Sequence, residues 1–77
     1  MPTILRSDGF DFFFYANEHL PRHVHVKKGN AYGKIDLESM RIVSSTFKTA
    51  DERKMLDIAW LNRSAMMEAW NEYFRAR

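Results

Sequence analysis

All three histidines of this chain lie within seven positions, in the segment Glu18-His19-Leu20-Pro21-Arg22-His23-Val24-His25-Val26. Imidazoles can bind a divalent metal ion, and they can also donate and accept protons near neutral pH. Side chains of a β-strand alternate between its two faces, so a strand that begins at His23 would place His25 on the same face. Pro21 indicates a turn before that strand, which could bring His19 back toward the same face. These residues form the chain's clearest chemical site.

One hypothesis uses the histidines without a cofactor, as the acid and base of an endoribonuclease. One imidazole would take the proton of an RNA 2′-hydroxyl, a second would protonate the leaving oxygen, and a nearby cation would stabilise the charge on phosphorus. The acid/base candidates are His23 and His25, with His19 in a supporting role. The predicted substrate-binding residues are Arg22, Lys27, Lys28 and Tyr15.

The same histidines also support a metal-site alternative. In it, His19, His23 and His25 bind Zn²⁺ or another divalent ion, and water occupies the fourth position. Metal-binding histidines are usually oriented by a second contact to a carboxylate or a carbonyl. The carboxylate candidates are Glu18, Asp36 and Asp11.

A third interpretation makes the histidines structural and the chain a protein-interaction module. Each ring would then pack against aromatic side chains and donate a hydrogen bond to a backbone carbonyl. Lys27 and Lys28 would form a solvated sheet edge, where lysine also discourages aggregation. Exposed aromatic residues such as Trp70 or Tyr73 would bind the partner. The sequence leaves these three interpretations open.

Composition limits the class of protein. The 77 residues predict one domain over residues 1–77, and the absence of cysteine excludes disulfides and thiolate zinc sites. No signal peptide precedes the first apolar run, and no apolar stretch approaches the ~20 residues of a membrane span. We therefore expect a cytoplasmic protein that does not bind membranes. The net charge of +2 is small, with its excess in the half that contains the histidines.

The order of sequence patterns predicts an α+β fold. Period-two alternation indicates strands from about residue 2 to 45, and a change to a 3.6-residue period indicates helices from about 50 to 76. We expect a four- or five-stranded antiparallel meander followed by two C-terminal helices packed on one face. Asp8-Gly9 predicts a hairpin turn, and Thr49 is the predicted N-cap of the first helix. No Pro or Gly separates the two helices, so one long bent helix stays open.

Several segments resemble the domain of unknown function 4160 family of small bacterial proteins. The resemblance covers nearly the whole chain and rests most on the pattern E-H-x-P-x-H-V-H-V. Many members of that family have two consecutive prolines where this chain has Pro21-Arg22. The segments that carry the resemblance are Met1–Ile4, Phe12–His19, Pro21–Val26 and Glu68–Phe74.

The resemblance implies a component of a bacterial toxin–antitoxin module. Its implied partner is a small cognate protein of the domain of unknown function 2442 family, and RNA is the target of the toxin interpretation. Carried over to this chain, it implies a functional cluster of His19, His23 and His25, with Glu18 and Tyr15 nearby. It does not distinguish toxin from antitoxin, and a homodimer stays open.

Overall fold

The computed structural model of the chain describes residues 3–75. Five strands form one antiparallel sheet in sequence order, and two helices follow. The predicted α+β meander is therefore confirmed, with five strands. The predicted limits at residues 2 and 76 lie outside the described residues. The elements are β1 Thr3–Ser7, β2 Phe10–Phe13, β3 His23–Lys28, β4 Ala31–Asp36, β5 Arg41–Ser45, α1 Thr49–Leu61 and α2 Arg63–Phe74.

The turn between β1 and β2 shows why the strands pair in this order. Asp8 and Gly9 both have positive φ, +53° and +85°, and Ser7 pairs with Phe10 around them. A two-residue hairpin loop with two positive φ angles matches the right-handed twist of the flanking strands, and Gly adopts that conformation without a Cβ clash. The hairpin predicted from Asp8-Gly9 is confirmed.

Both helices pack against one face of the sheet and form the hydrophobic core with it. Gly33 of β4 lies on this face, where a Cβ would stand 3.1 Å from Cε of Met55 and 3.2 Å from the backbone oxygen of Ser44. The missing side chain therefore lets α1 approach the sheet closely. The core is formed by β2 and the residue that follows it, by β3 and β4, and by both helices. Its side chains include Phe10, Phe12, Phe14, Val24, Val26, Ile35, Met55, Ile58, Met66 and Trp70.

The helix boundaries differ slightly from the sequence prediction. Lys48 is the N-cap of α1, and its side chain makes no capping hydrogen bond. Thr49 is the first helical residue, so the predicted N-cap is wrong by one position. Asn62 ends α1, and its side-chain N–H donates to the carbonyl of Ile58 at 2.9 Å. Residues 3–75 thus contain two separate helices. Within residues 3–75, neither helix has the length and apolar character that a membrane span needs.

Candidate functional site

His25 lies on the sheet face opposite the helices, and His23, the first residue of β3, also packs against Trp70 of α2 with ring centroids 5.1 Å apart. Val24 and Val26 point into the core, so the alternation of the strand directs His23 and His25 to the other side. The two imidazole centroids are 5.2 Å apart, with ring planes at 85°. The strand pattern alone therefore predicted their common face.

The loop from residue 14 to 22, between β2 and β3, covers this pair. The exposed side-chain fractions are 6% for His23, 15% for His25 and 9% for Glu18 of the loop. The Tyr15 ring lies edge-on to the His25 imidazole, with centroids 4.4 Å apart. The Phe13 ring stacks on the same imidazole, with centroids 5.7 Å apart. The imidazoles are thus confined by the loop and by aromatic rings.

One carboxylate faces both imidazoles. Oε2 of Glu18 lies 2.8 Å from Nε2 of His25, and Oε1 lies 3.0 Å from Nε2 of His23. The backbone N–H of Tyr15 donates to Oε2 at 3.1 Å and so holds the carboxylate in place. The three side chains bring one potential metal ligand atom each within 4.8 Å of one another. We call Glu18, His23 and His25 the histidine–glutamate cluster.

The orientation of His23 gives this cluster its chemistry. Nδ1 lies 2.8 Å from the carbonyl oxygen of Pro21, and because a carbonyl only accepts, Nδ1 must carry the hydrogen. Nε2 is buried beside Oε1 of Glu18, but the contact lacks hydrogen-bond geometry and leaves Nε2 without a hydrogen-bond partner. In a neutral ring, that nitrogen would direct its lone pair toward a carboxylate. The arrangement therefore offers a metal ion a ring nitrogen and a carboxylate oxygen side by side.

The surroundings also shift two protonation equilibria. Burial raises the pKa of Glu18, but the hydrogen bond from the Tyr15 backbone and the nearby His23 and His25 lower it by more, to below its ordinary 4.5. Burial lowers the pKa of His25 below 6.5; Glu18 opposes this shift in part, while Lys34 adds to it. At neutral pH the cluster thus contains a carboxylate and a neutral His25, whose Nε2–H donates to Oε2 of Glu18 and whose hydrogen would have to move to Nδ1 for Nε2 to bind a metal ion.

A pocket of about 380 Å³ opens beside the cluster. Glu18 and His23 line its inner side, and His19, Lys34 and Asp36 line the rest together with apolar side chains. Its volume falls in the range of small-molecule sites. The buried cluster therefore has space for a water molecule or a substrate group on one side.

His19 does not join the other two histidines in the potential ligand group. Its side chain is exposed and lines the pocket, while its neighbour Glu18 turns inward to the cluster. Sequence reasoning placed Glu18 near the site but did not assign it as a ligand. A loop has no periodicity from which the inward residue could be identified.

The predicted substrate-binding cations occupy three different places. Lys27 is exposed on the same sheet face as His25. Nε of Arg22 lies 2.7 Å from Oε2 of Glu38, and its guanidinium also donates to Asn71 of α2. Nζ of Lys28 lies 4.7 Å from the centre of the Phe10 ring, on the helix-covered face.

Lys34 is the pocket-lining cation that sequence reasoning missed. It is the direct cross-strand partner of His25 in the pairing of β3 with β4. Residues paired across antiparallel strands share a face, so Lys34 lies beside the cluster. A hairpin with the two-residue loop Gly29-Asn30 pairs Lys28 with Ala31 and, three residues further along each strand, His25 with Lys34. The sequence therefore contained enough information to predict this register.

Comparison with known proteins identifies a family and no relative of known structure. The family described as domain of unknown function (DUF4160) matches residues 9–71, which contain the whole histidine–glutamate cluster. No curated protein and no solved structure gives a significant match. The matched range covers most of the chain, so this protein belongs to the DUF4160 family.

Proposed function

We propose that this chain binds a divalent transition-metal ion, Zn²⁺ in the first instance, through the histidine–glutamate cluster. The observation that carries the proposal is the convergence of one potential ligand atom each from Glu18, His23 and His25 within 4.8 Å, in which Nε2 of His23 is buried 3.0 Å from Oε1 of Glu18. A metal ion would accept the lone pair of this nitrogen and would also bind the carboxylate of Glu18 and Nε2 of His25. Two imidazoles and a carboxylate form one of the known ligand sets of catalytic zinc.

The outer contacts of the cluster support the same proposal. The bond from Nδ1–H of His23 to the carbonyl of Pro21 is the kind of contact that orients metal-binding histidines. The three potential ligand atoms lie within 4.8 Å of one another, so the side chains would have to close by at most about 1.5 Å to reach the ~3.3 Å edge of a tetrahedral zinc site. The adjoining pocket leaves room for a fourth ligand, as a catalytic site requires.

Titration of Zn²⁺ into untagged, chelator-treated protein tests the proposal directly. We expect one zinc per chain, and Glu18→Gln, His23→Ala or His25→Ala should weaken binding by about 100-fold or more. His19→Ala is the matched control, because it removes an exposed imidazole from the same pocket. That variant should keep zinc affinity within about threefold, with circular dichroism confirming that each variant is folded.

Two outcomes would overturn this assignment. A folded wild-type chain that binds no zinc at micromolar concentration has no metal site of this kind. Loss of binding in His19→Ala together with intact binding in Glu18→Gln would instead favour the three-histidine set predicted from the sequence. Substitution of Co²⁺ for Zn²⁺ adds a visible absorption spectrum that reports the number of ligands.

A second candidate is metal-independent RNA cleavage by the same cluster. It is favoured by the lowered pKa of His25 and by Lys34 beside it. His25 would take the 2′-hydroxyl proton as the 2′-oxygen bonds to phosphorus, and a protonated His23 would give its proton to the departing 5′-oxygen. The products would be a 2′,3′-cyclic phosphate and a 5′-hydroxyl, with Lys34 stabilising the charge on phosphorus.

Chelator separates the two candidates. Cleavage of labelled RNA that persists in EDTA and leaves cyclic phosphate ends would support the metal-independent reaction. Cleavage that stops in EDTA and returns with zinc would support a metal-dependent one. In both cases His25→Ala should be inactive and His19→Ala should retain activity. Absence of cleavage under every condition would contradict ribonuclease activity and leave zinc binding to be judged by the titration.

The toxin–antitoxin role and the partner of the domain of unknown function 2442 family are supported by the resemblance and stay predictions. Expression of this chain alone in bacteria tests the role, with growth and total RNA as readouts. Growth arrest and RNA cleavage that disappear in His23→Ala/His25→Ala, at matched soluble expression, would support a histidine-dependent toxin. Unaffected growth and intact RNA would favour an antitoxin or a binding module.

A further inference from the structure

We infer that the open face of the sheet binds single-stranded RNA in a groove beside the histidine–glutamate cluster. This inference rests on the function proposed for the cluster and names the substrate that would reach it. The groove has a volume of about 320 Å³, and Phe13, Tyr15, Lys27, Asn30 and Tyr32 line it. We call it the tyrosine groove.

Its two tyrosines have the exposure that a stacking surface needs. Tyr15 is 45% exposed and Tyr32 is 57% exposed, although large aromatic side chains on the opposite face are almost completely buried. Exposed aromatic rings beside cations are the usual platform for unpaired bases, because every base has a π-face. Bases inside a duplex are already stacked on each other, so this surface favours a single strand.

The charges on this face are available to a phosphate backbone. Among residues 3–75, neither Lys27 nor Lys34 takes part in a salt bridge. The carboxylates nearby are engaged otherwise: Asp11 pairs with Arg6 at 3.3 Å, and Asp36 accepts backbone hydrogen bonds in the turn that follows β4. Asp11 lies directly opposite Lys27 in the strand pairing, and Asp36 has no salt bridge among the described residues, so a phosphate would meet the two lysines on a face that also contains carboxylates.

Strand register places the groove and the cluster in line. Tyr32 pairs with Lys27, and Lys34 pairs with His25 two residues further along the same two strands. Same-face neighbours on a strand are ~7 Å apart, so Lys34 stands between the tyrosine groove and the pocket beside the cluster. A base stacked in the groove would place its phosphate near Lys34 and His25. The next nucleotide would then extend toward His19.

Fluorescence anisotropy with a labelled, unstructured 2′-fluoro RNA tests this path. The probe lacks the 2′-hydroxyl, and EDTA keeps the metal site empty, so binding is measured apart from metal and chemistry. We expect Tyr32→Ala to weaken binding at least about tenfold. Trp60→Ala is the matched control, because Trp60 is also 57% exposed but lies on α1; its effect should stay below about twofold.

Salt dependence tests the two lysines. Lys27→Ala and Lys34→Ala should each reduce the slope of log affinity against log salt by about 0.7, whereas Lys54→Ala on α1 should leave it unchanged. A duplex of the same sequence should compete poorly. Equal binding of duplex and single strand, or equal effects of Tyr32→Ala and Trp60→Ala, would overturn the inference.

The assay also separates this inference from the proposed function. Zinc binding without RNA binding would overturn the tyrosine groove and leave the metal site in place. RNA binding by a chain that binds no zinc and cleaves no RNA would overturn the function proposed for the cluster and keep the groove. Binding of neither would overturn both.

Discussion

The two faces of the central strand β3 are almost equally hidden from solvent, but by different means. Val24 and Val26 are completely buried under the helices, within a continuous apolar core. On the reverse face, a loop that brings a carboxylate with it covers His25, and the same loop together with Trp70 of α2 covers His23. Burial of apolar groups stabilises the fold, whereas burial of ionisable groups next to a pocket usually serves binding or chemistry. Substitutions on the two faces should therefore separate stability from function.

The strongest test of this comparison pairs two adjacent phenylalanines of β2. Phe12→Ala should lower the free energy of unfolding by about 3–5 kcal/mol, because Phe12 is completely buried in the helix-covered core. Phe13 lies half-buried on the histidine face, so Phe13→Ala should cost clearly less. Urea denaturation measures both, and Phe12→Leu keeps a folded reference if the alanine variant unfolds. Equal losses at the two positions would break the distinction between the faces.

Zinc should stabilise the molecule through the histidine face alone. At a free zinc concentration 100 times the Kd, the gain is about 2.7 kcal/mol for a site present only in the folded state. Thermal unfolding should therefore shift upward with zinc in the wild type and in His19→Ala. Glu18→Gln, with at least about 100-fold weaker binding, should gain no more than about 0.4 kcal/mol at the same zinc concentration. A zinc-dependent shift that survives at full size in Glu18→Gln would place the metal elsewhere.

Gly33 tests the packing of the helix-covered face more finely. Gly33→Ala would place a methyl group against the side chain of Met55 and the backbone of Ser44, at 3.1 and 3.2 Å. Over-packing of this kind costs about 1–3 kcal/mol. Urea denaturation should show that loss, while zinc affinity measured on the folded protein stays unchanged. Unchanged or increased stability would show that α1 can move away from the sheet at little cost.

The sequence predicted the helix-covered face well because local rules determine it. Alternation in β2 and β3 separates core from surface, and Asp8-Gly9 sets the first hairpin. The same alternation implies that Lys28 points to the other face of the sheet from Lys27. The prediction that Lys28 binds substrate beside the histidines is therefore inconsistent with that pattern. The register of Lys34 with His25 also follows from a two-residue loop.

The histidine face was harder to predict because distant parts of the chain assemble it. Arg22 lies next to His23 in sequence and reads as a free phosphate-binding cation. Its guanidinium instead bonds to Glu38 and to Asn71, which are 16 and 49 positions away. Glu18 reaches the cluster from a non-periodic loop, where no repeat indicates which side chain turns inward. Contacts of this range depend on the folded topology.

The smallest predicted effect concerns the titration of His25 in metal-free protein. Its lowered pKa means that the unfolded chain binds the proton more tightly, so its contribution to stability is complete above about pH 6.5 and is lost as pH falls. NMR should show the His25 imidazole titrating below 6.5. Glu18→Gln removes a contribution that raises the pKa of His25, so the pKa should fall further. An upward shift in that variant would mean that Glu18 does not act on His25 as a charged carboxylate, and the site would lose the anion that a metal ion requires.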